Sequence, residues 1–363
     1  MIAHQWTNVP IGRERRSPFM RLAIRKTGAP SRRARHSIRA WHLLVLSLGL
    51  IGDAAQAQQS PLQLETRIPL GTVKGRIDHL AVDLGRKHLF VAELENNSLA
   101  IVDLNNGRLL RRITGLKEPQ GVGYVPTVDT LFVANGGDGS LRLFRGGDFA
   151  AMENTQLGKD ADNVRVAQDS KSVYVGYGAG ALAVIDPSSH AKIKDIALPA
   201  HPESFQVSQD AQKAFVNLPN AQSIAVIDLQ AGRVSQNWST GNDHGNFAMT
   251  LDHGGQHAIV VFRNPPKLSV RGLQMGTPVA ERNTCGDVDD VFFDSKRQRV
   301  YVTCGEGAID VFDAAADYAP MARIATRRGA RTSLFMASLD RLAIAVRASA
   351  TQPAAVWLYR PLP

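Results

Sequence analysis

The chain has only two cysteines in 363 residues, Cys285 and Cys304, and neither has His or Cys neighbours at ligand spacing. That excludes a zinc site built on them. No Gly-x-Ser-x-Gly elbow, paired zinc histidines or phosphate-binding Walker loop occurs. "NGGDGS" (135–140) is Gly-rich but joins two strand-like runs, with no helix start to cradle phosphate. No apolar run approaches the ~20 residues a membrane-spanning helix needs. Nor is the chain broadly basic, despite a net charge of +9 and a pI of about 9.8. Residues 1–57 hold ten Lys and Arg against Glu14 and Asp53, whereas residues 58–363 carry 32 bases against 31 acids. A near-neutral body offers no electrostatic footprint for a phosphate backbone, so nucleic acid is not an expected partner.

The basic segment has its own explanation. Arginines up to Arg39 precede an apolar run of about ten residues, Leu43–Gly52, followed by Ala55-Gln56-Ala57. That is the order of a secretory signal, with cleavage expected after Ala57. Arg32-Arg33 is a weak twin-arginine feature beside the Sec-type reading, and Met20 is a second candidate start. The mature protein, 58–363, is expected to be a periplasmic or secreted monomer without a membrane span.

What the mature part has in quantity is repetition. "IDHLAVDLGRKHLFVAELENNSLAIVDL" returns in outline six more times, and one polar position recurs at Asp78, Gln120, Asp162, Glu203, Asn246, Asp289 and Thr332. Asn246 fits only with a one-residue shift. The spacings are 42, 42, 41, 43, 43 and 43, so seven units fill the 306 mature residues. Each unit alternates apolar runs of four to six residues with Gly, Asn, Asp or Pro turns, and helical periodicity is absent. Four short antiparallel strands per 40–45 residues is a propeller blade. The predicted class is all-β, a seven-bladed β-propeller of four-stranded antiparallel blades. The seventh unit ends after its third strand, "AAVWLYR" (354–360). "LQLETRIPL" (62–70), ahead of the first unit, is expected to supply the missing strand and close the ring.

"YVTC" (301–304), "LFVAN" (131–135) and "AFVN" (214–217) resemble the YVTN repeat, and the whole mature chain resembles the YncE-like family of seven-bladed propellers. The resemblance implies the fold and a binding role rather than a defined activity. The chain lacks the Gly-His…Trp-Asp signature of WD40 repeats. Four tryptophans without a repeat-wide motif argue against the quinoprotein dehydrogenase propellers.

Within the sixth unit Cys285 sits in the loop entering the first strand and Cys304 ends the second, so both project to one face of one blade. A disulfide is expected; two free thiols or a metal or redox role are the alternatives.

First strands line a propeller's axis, so the residues before them converge on the channel mouth. That gathers Asp78, Gln120, Asp162, Glu203, Asn246, Asp289 and Thr332. A second position adds His79, Asn163, Ser204, Asp290 and Ser333, and the second-strand ends Glu93, Asn135, Tyr177 and Arg263 face the same side. His201 and His244 stand in entry loops that could border the pocket. Three readings are open. The polar residues cap turns. Or Asp78, Asp162, Glu203 and Asp289 hold Ca²⁺ or another divalent cation, with His79 as candidate base in a lactonase, gluconolactonase-like hydrolase or lyase. Or the mouth recognises a small molecule, glycan, peptide or periplasmic protein without turnover.

Overall fold

A computed structural model describes residues 60–363; the signal-segment reading lies outside them. Among the described residues, twenty-eight strands form seven four-stranded antiparallel sheets, and four single 3₁₀ turns link neighbouring strands within blades. In each sheet strands A to D run from the axis outward. Blade 1 is Leu80–Asp83, His88–Glu93, Ser98–Asp103 and Arg108–Thr114. Each A strand touches the A strand of the next blade, and that of blade 7 touches that of blade 1. No helix among the described residues is long and apolar enough to cross a membrane.

The ring closes as the repeat count predicts. Blade 7 takes its A, B and C strands from Ser333–Met336, Arg341–Val346 and Ala354–Pro361, and its D strand from Leu62–Gly71, with Ile68 opposite Val356. One blade is therefore built from both ends of the described chain, and no inner strand edge is left open.

The B and C strands read as near-continuous apolar runs because both blade faces are covered. Successive side chains point to opposite faces. Leu89 and Val91 thus enter the layer between blades 7 and 1, while Phe90 and Ala92 enter the layer between blades 1 and 2. Seven apolar clusters result, one for each junction. D strands are the most exposed of each blade; Arg108–Thr114 has no buried residue, whereas the closing strand buries Leu62, Ile68 and Leu70.

Away from the mouth, aspartates at the A–B and C–D turns cap the backbone. Asp83, Asp103 and Asp294 accept N–H groups two and three residues on. Two of these turns also tie blades together. Arg86 bridges Asp83 to Asp129, and Arg297 bridges Asp294 to Asp340. Blade 6 holds the disulfide, Cys285–Cys304, with Cα atoms 5.9 Å apart and both residues buried.

Candidate functional site

Two cavities share the axis. The upper one, at the end where chains enter the A strands, has a volume of about 220 Å³. It is lined by the predicted residues Asp78, His79, Gln120, Asp162, Asn163, Ser204, Glu203, Arg263 and Asp289. It is also lined by His201, and by Arg76, Asp160, Phe247 and Arg331, which the repeat alignment does not single out. Below it, a channel of about 340 Å³ runs between the A strands, and His79 lines both.

The recurring polar position is set by the main chain. The N–H groups of Asp78, Asp162 and Glu203 donate to the carbonyls of Ala92, Gly176 and Asn217, two positions ahead of the B-strand turn in each blade. This leaves the side chains free to point to the axis. In blade 2, Gly121 lets the A strand come close: a Cβ there would meet the Asp162 carbonyl oxygen at 1.8 Å.

Eight of the residues expected at the mouth do not line it; two of them, Asp290 and Ser333, line the channel below instead. Glu93 is fully buried, takes a hydrogen bond from Ser98 and pairs with Arg112 at 2.6 Å. Asn135 donates to Ser140, and the Tyr177 ring lies beside Lys192. The B strand stands one strand spacing, ~4.8 Å, farther from the axis than the A strand. Of the B-strand ends proposed for the mouth, only the long Arg263 bridges that distance. Asn246 is buried against Asn217 and Ser223, because a register shift between Asn246 and Ala248 turns Phe247 to the mouth in its place. Thr332 is buried and donates to the Ile77 carbonyl, and its neighbour Arg331 takes the lining position. Asp290 lies lower, in the channel. His244 does not line either cavity.

His79 stands at the neck. Its Nε2 is 3.8 Å from Asp78 and 3.7 Å from Asp162, and its Nδ1 is 3.9 Å from Asp290. Burial works against the imidazolium, but Asp78, Asp290, Asp162 and Asp289 outweigh it and push the pKa up to about 9. Burial moves the surrounding acids the same way: Glu203 to about 8, Asp78 to about 7 and Asp290 to about 6, with Asp162 also raised. Across the mouth, Arg263 and Arg331 clamp Asp289 at 2.6 and 3.1 Å, and Arg263 stacks 3.6 Å over Phe247. Arg76 pairs with Asp78 at 3.2 Å.

Two oxygens lining the mouth accept no hydrogen bond, although His79 Nε2 lies 3.7 Å from the first of them, Asp162 Oδ1. Asp162 Oδ1 and Asn163 Oδ1 are buried and belong to adjacent residues. Such acceptors are costly unless something donates to them. No three His, Cys, Asp or Glu side chains among the described residues are grouped to hold a metal ion. The four metal candidates are interleaved with His79, Arg76, Arg263 and Arg331.

No family model matches the chain, and no curated protein matches it. Among solved structures, hydrazine synthase from Kuenenia stuttgartiensis superposes with a TM-score of 0.66 at 16% identity, over 80% of this chain and 95% of that one. The likeness is one of fold.

Proposed function

We propose that the protein is an exported binding propeller of the kind its YVTN-like repeats resemble. Its mouth takes a small polar molecule that donates hydrogen bonds to Asp162, Asn163 and Glu203. The reading rests on a contrast among acids. Turn-capping aspartates accept backbone N–H groups of their own turns, and the carboxyls of Asp83, Asp103 and Asp186 titrate below their ordinary range. The side chains of Asp78, Asp162 and Glu203 cap no turn; burial raises all three. A carboxylate held in that condition works against the fold at neutral pH, so turn capping does not account for it.

The same oxygens, which accept no hydrogen bond, favour a second reading, a divalent cation completed by ligand or water oxygens. The interleaved arginines and His79 fit that reading less well than they fit a polar organic ligand.

Thermal unfolding of two variants at pH 8.5 tests the contrast. Asp103→Ala is expected to lower the melting temperature, because it removes the acceptor of the Asn105 and Asn106 N–H groups. Glu203→Gln is expected to leave stability unchanged or raise it, because it removes a buried charge. A destabilisation by Glu203→Gln equal to that of Asp103→Ala returns the mouth acids to a structural role. Melting with EDTA and with millimolar Ca²⁺ separates the two ligand readings: a Ca²⁺-specific rise lost in Asp162→Asn favours the cation.

A further inference from the structure

The lower cavity differs in kind from the mouth. Its wall is largely apolar, including Val122, Val164, Phe292 and Leu334, and Arg165 stands within it. Arg165 Nε donates to the Phe205 carbonyl at 3.1 Å, Nη1 to the Val164 carbonyl at 3.0 Å and Nη2 to Ser204 Oγ at 3.3 Å. Each terminal nitrogen keeps a further N–H without a partner among the described residues. No carboxylate among them forms an ion pair with the guanidinium, whereas the mouth arginines Arg76, Arg263 and Arg331 each have one. Asp290 and Asp162 act on this partly buried guanidinium only from beyond ion-pair distance, which leaves its free donors for a charge-assisted hydrogen bond to an anion.

The channel's own lining sets one carboxylate, Asp290, beside Arg165; His79, at its top, is shared with the mouth and faces Asp78 and Asp162 there. Asp290 is already engaged, accepting the Ser333 N–H at 2.7 Å. The volume of about 340 Å³ falls within the roughly 300–1,000 Å³ of small-molecule sites. Access does not require passing His79: Gln206 and Thr250 line both the channel and a groove on the opposite face.

We propose that this channel is a second binding site, for a small organic acid whose carboxylate meets the free Arg165 donors while its apolar body packs on the valine, leucine and phenylalanine wall. The site lies below the mouth, with His79 between the two, and it takes a hydrogen-bond acceptor where the mouth takes a donor.

The test is melting and isothermal titration of the purified protein with hexanoate and benzoate at 10 mM-scale concentrations, roughly 100-fold above a modest Kd, which would raise stability by ~2.7 kcal/mol. Controls are chloride at equal ionic strength and hexanol. The expected result is a rise of several degrees and a binding isotherm with either acid, with no response to chloride or hexanol. Arg165→Gln should abolish it. Val166→Glu, which places a like charge in the same lining, should also abolish it and serves if Arg165→Gln does not fold. An equal response to chloride, a response retained in a folded Arg165→Gln or Val166→Glu protein, or no response to either acid overturns the proposal.

Discussion

His79 is the one cation at the neck, and replacing it by glutamine should expose how the mouth is balanced. Its pKa rises from an ordinary 6.5 to about 9 through four carboxylates. At ~1.4 kcal/mol per pH unit, this corresponds to roughly 3 kcal/mol of favourable interaction in the folded protein. The side chain is only 13% exposed, so solvent screening removes little of it. The sign follows from linkage. A histidine whose folded pKa is raised contributes fully below pH 6.5 and loses that contribution as pH rises through about 9. In His79→Gln the carboxylates can take up protons instead, which caps the deficit at pH 6 near 3 kcal/mol. Urea unfolding of wild type and variant at pH 6 and pH 10 reads the difference directly. The gap should be largest at pH 6 and close to zero at pH 10, where neither protein carries the cation. A gap of the same size at both pH values would refute the reasoning, because it would be a packing loss rather than a charge.

Two further outcomes follow from the fold. Replacing Cys285 and Cys304 together by alanine releases a loop with a sequence separation of 19. It should cost ~3 kcal/mol in the chain-entropy model, read as a fall of about 5 °C in melting temperature for a chain this size; an unchanged melting temperature would mean the crosslink restrains little in the unfolded chain. Ile68→Ala removes a fully buried side chain from the closing strand and should cost ~2–5 kcal/mol, against no measurable change for the exposed Thr66→Ala; equal effects in calorimetry would show that the closing strand does not carry the junction.

The fold was legible because a propeller writes its period into the chain. Strand A entry recurs every 41–43 residues, and the unit lacking a D strand pointed to the strand at Leu62–Gly71 that completes it. The mouth was legible only where the A-strand position decides it. Arg76 and Asp160, which went unpredicted, stand two residues before Asp78 and Asp162, as the expected His201 stands before Glu203, so strand alternation carried outward into the entry loops would have found them. Phe247 escaped for another reason: the register shift at Asn246–Ala248 moves the lining by one residue, and the repeat alignment showed it only as the one-residue misfit of Asn246; nothing in the alignment marks Arg331. Glu93, Asn135 and Tyr177 were misplaced because spacing reports which end of a strand a residue occupies, not how far its side chain reaches.

The two ends of the ring treat acids in opposite ways, and that asymmetry bears on what the molecule does. At the turn end, Asp83 and Asp103 bind backbone N–H groups and titrate low, so their contribution is present above the ordinary carboxylate range and lost only as the solution becomes more acid. Along the axis, burial pushes Asp78 and Glu203 at the mouth up to about 7 and 8, and Asp290 in the channel up to about 6, so the folded protein loses stability as pH rises from the ordinary carboxylate range through those values. A scaffold that needed these positions only to start its A strands would have no use for buried acids there, because the main chain already holds Asp78, Asp162 and Glu203 in place. Stability is thus given up at the axis and recovered in seven apolar junctions, two arginine-bridged turns and a disulfide. That division is the one expected when a repeated scaffold presents a polar site rather than a cap.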